Sequence, residues 1–337
     1  MNIMVFDVSA ESGGALSVLN DFYNKYKTDG KNNYIFVVSK PKLEESKNTK
    51  VLRYQWIKKS WLHRLYFDNF IAPRLIREYE IDEVLSLQNI IIPHTNVHQT
   101  VYVHNSLPFA EYQFSILKDK LPWVYQNILS KIIFKSIKKA NKVIVQTEWM
   151  REACVEKLNV DKTKIEVLLP KIDIEVLRCY QPTKESLTTF FYPASGVSFK
   201  NHKVIVEACL KLKHEGIDKY SVVFTLKGNE NKKILNLYKL VQDNSLSVFF
   251  IGSISRDKVF EQYSKSVLLF PSYIETVGLP LIEARMHGTP ILVSNCIFAH
   301  EILDGYENVD FFDPFDTNKL VELMLKYISK NTNINYY

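Results

Sequence analysis

Cysteine is scarce in this chain and shows no order. Cys154, Cys179, Cys209 and Cys296 have no paired spacing, which suggests neither a disulfide framework nor a zinc site and makes a reduced, cytoplasmic setting the expectation. Only 10 Gly and 12 Pro occur among 337 residues, too few for a collagen-like or low-complexity chain. Long apolar runs are also missing. The longest uncharged window, residues 84–110, is broken by Pro93, His94, Asn96, His98 and Gln99, so no bilayer-crossing helix is expected. The first strand pattern opens at Asn2, which leaves no room for a secretion leader ahead of it. Nor is one sign of charge dominant: 43 Lys and Arg against 37 Asp and Glu leave +6, and no nucleic-acid partner is expected.

What is abundant is material to bury. Hydrophobic residues make up 46% of the chain, with 20 Phe and 19 Tyr, and the length exceeds what one hydrophobic core usually carries. Short β-branched and aromatic runs at residues 3–8, 34–39, 51–56, 83–87, 100–104, 143–147 and 165–169 alternate with helical patterns. After a polar stretch the pattern restarts at residues 189–192, 222–226, 248–251, 267–270 and 291–293. Alternation of this kind predicts an α/β fold of two Rossmann-like domains, residues 1–172 and 188–337, joined by a linker at 173–187. Ligands are expected in the cleft between them, at the carboxyl ends of the strands.

Two basic segments stand out in the first half. Residues 118–142 hold seven Lys and one Asp, with Lys131, Lys135, Lys138 and Lys142 at helical spacing on one face and Leu121, Val124, Ile128 and Ile132 on another. Residues 53–64 set four cations among Trp56, Ile57, Trp61 and Leu62. The lysine face reads equally as the solvated side of a surface helix, and together the two mixtures suit an anionic membrane surface touched from one side.

The chemistry-bearing positions lie at strand ends. Gly13 and Gly14 follow the first strand and open a helical stretch over residues 15–26, which serves a tight strand-to-helix turn and also lets the backbone approach a ligand there. In the second half, Pro280 and Gly288 bracket a helix of about two turns, entered through residues 276–279. Its N-terminal amides favour an anion, with phosphate the natural candidate. Glu275 before this helix and Glu283, expected in its first turn, are of the type that accepts hydrogen bonds from hydroxyl groups; read alone, Glu283 equally complements the helix N-terminus and Glu275 is a surface loop residue. No Asp-x-Asp cluster is present, so no metal is expected.

The run Pro271-Ser272-x-x-Glu275-x-x-Gly278-Leu279-Pro280-x-x-Glu283-Ala284, followed by Gly288-x-Pro290, resembles the signature of family 4 glycosyltransferases of the GT-B fold. That resemblance implies a retaining, metal-independent transferase with no cofactor, which takes a nucleotide sugar, UDP-sugar favoured, as donor. By matched position it implies that Glu283 binds donor ribose hydroxyls, that Glu275 lies near the donor sugar, and that the backbone of Thr276, Val277, Gly278 and Leu279 meets sugar and diphosphate. Lys200, followed by Asn201, resembles the family's basic residue at the diphosphate. An arginine usual a few residues earlier is missing, and Lys227 is a candidate helper. His104 resembles the family's histidine at the donor sugar. The stretch 168–173 looks like a degraded form of the family's linker motif.

Taken with the basic segments, the resemblance implies a lipid-linked or oligosaccharide acceptor in surface-polysaccharide synthesis, at the inner face of the cell membrane. A nucleotide-sugar epimerase of similar architecture, or a binding subunit without turnover, are the alternatives.

Overall fold

The computed structural model describes residues 1–11, 13–170 and 176–330. The chain divides into two compact units, Met1–Lys171 and Ile172–Tyr337. The first runs β1 (Asn2–Asp7), α1 (Gly13–Lys27), β2 (Asn33–Val38), β3 (Thr49–Arg53), α2 (Trp61–Tyr66), α3 (Ala72–Glu78), β4 (Glu83–Ser86), β5 (His98–Val103), α4 (Lys120–Val124), α5 (Ser130–Lys139), β6 (Lys142–Val145), α6 (Glu148–Leu158) and β7 (Ile165–Val167). One π-type turn, Phe67–Ile71, joins α2 to α3, and another, Tyr125–Leu129, joins α4 to α5. The second unit runs α7 (Lys184–Thr188), β8 (Thr189–Tyr192), α8 (His202–His214), β9 (Ser221–Phe224), α9 (Lys232–Asp243), β10 (Val248–Phe250), α10 (Arg256–Tyr263), β11 (Val267–Phe270), α11 (Leu279–Met286), β12 (Ile291–Ser294), α12 (Ile297–Ile302), β13 (Val309–Phe312) and α13 (Thr317–Lys330).

Each unit is one parallel sheet, in the order β3-β2-β1-β4-β5-β6-β7 for the first and β10-β9-β8-β11-β12-β13 for the second. The strands read as continuous apolar runs because helices cover both faces of such sheets. Phe190, Phe191 and Tyr192 of β8, and Val267, Leu268 and Leu269 of β11, are fully buried for this reason. Strand order reverses between β1 and β4 and again between β8 and β11, and the carboxyl ends beside such reversals are where open α/β sheets take ligands.

All the expected strands are present, most with ends displaced by a residue or more. The run expected at 51–56 stops at Arg53, because the chain turns at Tyr54 into the short helix Gln55–Lys59. β13 was not anticipated: Asp310 interrupts its apolar pattern, which an edge strand tolerates, and its carboxylate meets Lys326 at 2.7 Å. Lys142 does not share the helical face of Lys131, Lys135 and Lys138. The backbone turns extended at Ala140, so Lys142 opens β6 and pairs with Glu166 of β7 at 2.6 Å. Of the expected linker, residues 184–187 form the first four residues of α7, whose N-terminus is closed by a reciprocal Thr183–Ser186 cap. Residues 171–173 of the linker motif lie outside the described residues.

One core residue of the second unit carries a stability consequence. The His202 ring lies between Tyr192 and Phe224, at centroid distances of 4.8 and 5.0 Å, and both its nitrogens are buried without a partner. Burial, with a smaller push from the Lys200 charge, lowers its pKa to about 3. Between about pH 6.5 and 3 the unfolded chain therefore binds a proton that the folded chain refuses, so this histidine's contribution falls as pH falls. His202→Phe should flatten the acid side of the stability profile by about 1.4 kcal/mol per pH unit, read from urea unfolding between pH 4 and pH 6.5.

Candidate functional site

In the second unit the loops after β8 and β11 are stitched together. The Tyr273 N–H donates to the Phe199 carbonyl at 3.1 Å, the Ser272 hydroxyl reaches the same oxygen at 3.3 Å, and the buried Tyr192 hydroxyl donates to the Lys200 carbonyl at 2.7 Å. This stitching presents Lys200 to Glu275, and the two form an ion pair with side chains 18% and 13% exposed. The Lys200 ammonium also lies 5.9 Å from the Phe270 ring. A charge pair so far withdrawn from water costs desolvation, and one that stays open to a ligand can exchange partners when an anion arrives. Asn201, in left-handed conformation, opens α8 and spends its side-chain amide on the Pro314 carbonyl at 2.6 Å.

Helix α11 begins as its sequence demands. Gly278 is the N-cap residue at φ 74°, a region that favours glycine, Pro280 sits in the first turn, and Gly288 at φ 69° follows the end. Space is short as well: a Cβ on Gly278 would stand 3.2 Å from Leu281 Cδ1 and 3.4 Å from Phe270 Cζ. Thr276 and Leu279 are half-buried on either side of buried Val277 and Gly278. Glu283 is the fifth residue of α11, not a first-turn residue, because the helix already begins at Leu279. Its carboxylate accepts from the buried Tyr263 hydroxyl at 3.0 Å and meets Arg256 at 3.4 Å. Burial raises its pKa, against the opposing hydrogen bond from Tyr263 and the charge of Arg256. Neither Tyr263 nor Arg256 stood out in the sequence. Both lie on α10, and a signal was available in the Ser255 cap that starts that helix.

Lys227 follows β9, the strand next to β8, and its backbone N–H donates to Glu230. Among the described residues no group of three or more His, Cys, Asp or Glu side chains is placed to hold a metal ion.

In the first unit, His104 comes one residue after β5, and Asn89, after β4, fixes it. Asn89 Oδ1 accepts from the His104 backbone N–H at 2.8 Å, which turns the Asn89 amide nitrogen toward His104 Nε2 at 3.2 Å. Nε2 must then accept, so the ring proton is assigned to Nδ1, which has no partner. Burial lowers the pKa to about 4, and the ring is neutral at neutral pH. Gly13, at φ 61°, and Gly14 open α1 with nothing within 4 Å of where a Cβ would stand.

Asp7, the last residue of β1, went unnoticed in the sequence. Its Oδ1 accepts from Ser9 Oγ and the Ala10 N–H at 3.1 Å each, while Oδ2 is buried and unpartnered, and burial raises the pKa to about 7.

Comparison with solved structures decides the architecture. Sucrose-phosphate synthase from Thermosynechococcus elongatus superposes with a TM-score of 0.74 at 16% identity, over 98% of this chain and 90% of that one. Anabaena Alr3699/HepE in complex with UDP-glucose gives 0.70 at 13% identity, over 98% and 91%. The fold is GT-B. Within it, residues 175–336 match the Glycosyl transferases group 1 family, so the Lys200, Glu275 and Glu283 loops of this GT-B chain all fall in the matched part. In sequence, the chain is 26% identical over 233 residues to the O-antigen chain mannosyltransferase RfbU of Salmonella typhimurium. That match covers 66% of this chain and 64% of RfbU.

Proposed function

We propose that this chain is a glycosyltransferase that moves a sugar from a nucleoside diphosphate, UDP-sugar favoured, to an acceptor hydroxyl with retention at the anomeric carbon. The observation that carries the reading is the Lys200–Glu275 pair, held at the ends of β8 and β11 beside the Gly278 turn and inside the group 1 match. When a donor binds, its diphosphate takes the Lys200 ammonium and the N-terminal amides of α11, and Glu275 is released toward the sugar hydroxyls. The bond from the anomeric carbon to phosphate oxygen breaks, the acceptor oxygen bonds to that carbon on the same face, and the departing phosphate oxygen takes the acceptor proton. Lys200 and the helix amides stabilise the charge that develops, without a metal. Glu283, already accepting from Tyr263, has a second oxygen that Arg256 can yield to ribose hydroxyls. The likeness to RfbU supports an acceptor in surface-polysaccharide assembly, and the exposed basic and aromatic segments of the first unit support a lipid-linked one at an anionic membrane.

The test is thermal shift with UDP, GDP, dTDP and their sugar conjugates in EDTA. One nucleotide should stabilise the protein by about 2.7 kcal/mol at 100 times its dissociation constant, and Glu283→Ala should abolish the shift. Stabilisation that appears only with added divalent metal would refute the metal-free mechanism. Product analysis with donor alone separates transfer from epimerisation.

A further inference from the structure

Half of the large apolar side chains exposed among the described residues, eleven of twenty-two, fall in residues 61–70 and 112–132. In the first stretch Trp61, Leu62, Leu65, Tyr66 and Phe70 are exposed, with Leu62 at 76%, along one side of α2 and the π-type turn after it. The second exposes Leu117, Leu121, Ile128 and Ile132, with Leu117 at 94%. A concentration of this kind on a water-soluble surface marks an interaction site.

Strand register places both stretches on the same side of the first sheet. Phe6 pairs with Ser86, Ser86 with Val101, and Val101 with Val143, and residues paired across a parallel sheet share a face. Phe6 shares a core cluster with Phe67 of the first stretch and with Ile57 just before it, and Val101 and Val143 share one with Ile133 and Ile137 beyond the second. Helix α1 packs on the other face, through Val5 and Phe36. The two apolar surfaces therefore form the outside of one layer.

Their flanks are basic. Lys58 and Lys59 precede α2 with no acidic residue between positions 53 and 64, and Lys118, Lys120 and Lys131 run through the second stretch against Asp119 alone. Trp and Tyr beside Leu, rimmed by lysines, match the interface of an anionic bilayer. A two-fold pairing of copies through this face would set the same lysines against one another.

The first stretch is also tied to the connection between β1 and α1. Lys58 Nζ meets Glu11 Oε1 at 2.8 Å and donates to the Ser9 carbonyl at 3.0 Å, and Glu11 Oε2 is held in turn by Lys40 at 2.7 Å. On the inner side of the helix, Arg64 bonds the buried Asp68 at 2.6 Å, and its charge acts on Asp7 at the end of β1.

We propose that residues 61–70 and 112–132 form one docking face for an anionic lipid surface, and that docking steadies the β1–α1 connection through Lys58. This deepens the reading of a lipid-linked acceptor, but its test does not use sugar transfer, so either reading can fail alone. The full chain is floated with phosphatidylcholine vesicles with and without phosphatidylglycerol, and amide exchange is followed in residues 8–11. Binding should require phosphatidylglycerol and weaken with salt. Leu62→Ser/Phe70→Ser and Leu117→Ser/Leu121→Ser, all at exposed positions, should each weaken binding by about tenfold or more. Exchange in residues 8–11 should slow on vesicles, and Lys58→Ala should lose that slowing while most vesicle binding remains. Wild-type binding by both serine pairs, or a dimer that they dissociate in place of vesicle binding, overturns the docking face. Unchanged exchange on bound vesicles overturns the link through Lys58.

Discussion

Lys200→Ala is expected to lower kcat/KM by about 10²–10³-fold, the usual loss when one preorganised group facing developing negative charge is removed. The same substitution strands Glu275, whose side chain is only 13% exposed, and so destabilises the protein as well. Because Glu275 is itself proposed to meet the sugar, Lys200→Ala/Glu275→Gln read against Glu275→Gln alone separates the two effects. With the stranded charge removed, urea unfolding should return toward the wild-type midpoint while the rate stays low. Initial rates and unfolding curves on the same preparations check this, and a double variant as fast as Glu275→Gln alone would assign Lys200 to stability alone.

Gly278→Ala should damage binding and stability together. A residue with a Cβ held at φ 74° costs about 1–2 kcal/mol, and here the added methyl group also presses on Leu281 and Phe270. The turn can relieve both strains only by moving the N-terminus of α11. Nucleotide stabilisation in thermal shift should then vanish, while the unliganded protein loses about 1–2 kcal/mol in urea. A variant that unfolds earlier but keeps the full nucleotide shift would show that the α11 amides do not meet the ligand.

The fold was legible because both faces of each sheet are covered, so strands such as β8 and β11 are uninterrupted apolar runs. The α11 region was legible for a different reason. Gly278, Pro280 and Gly288 are backbone signals that act where they stand. Groups that act through space left no such mark. Tyr263 and Arg256 reach Glu283 from 20 and 27 positions away, and Asn89 fixes His104 from the loop after the neighbouring strand β4. Lys142 shows the opposite failure, since helical spacing continued past a helix that had already ended at Lys139.

Strand order also bears on how the chain is made. In the first sheet β2 and β3 add in turn on one side of β1, and β4 to β7 then add in turn on the other. The second sheet repeats the sequence, with β9 and β10 on one side of β8 and β11 to β13 on the other. Each newly synthesised strand thus finds its neighbour already translated. The first sheet, whose last described strand ends at Val167, can assemble during vectorial synthesis before the second has begun, and among the described residues no strand needs to wait for a distant C-terminal partner.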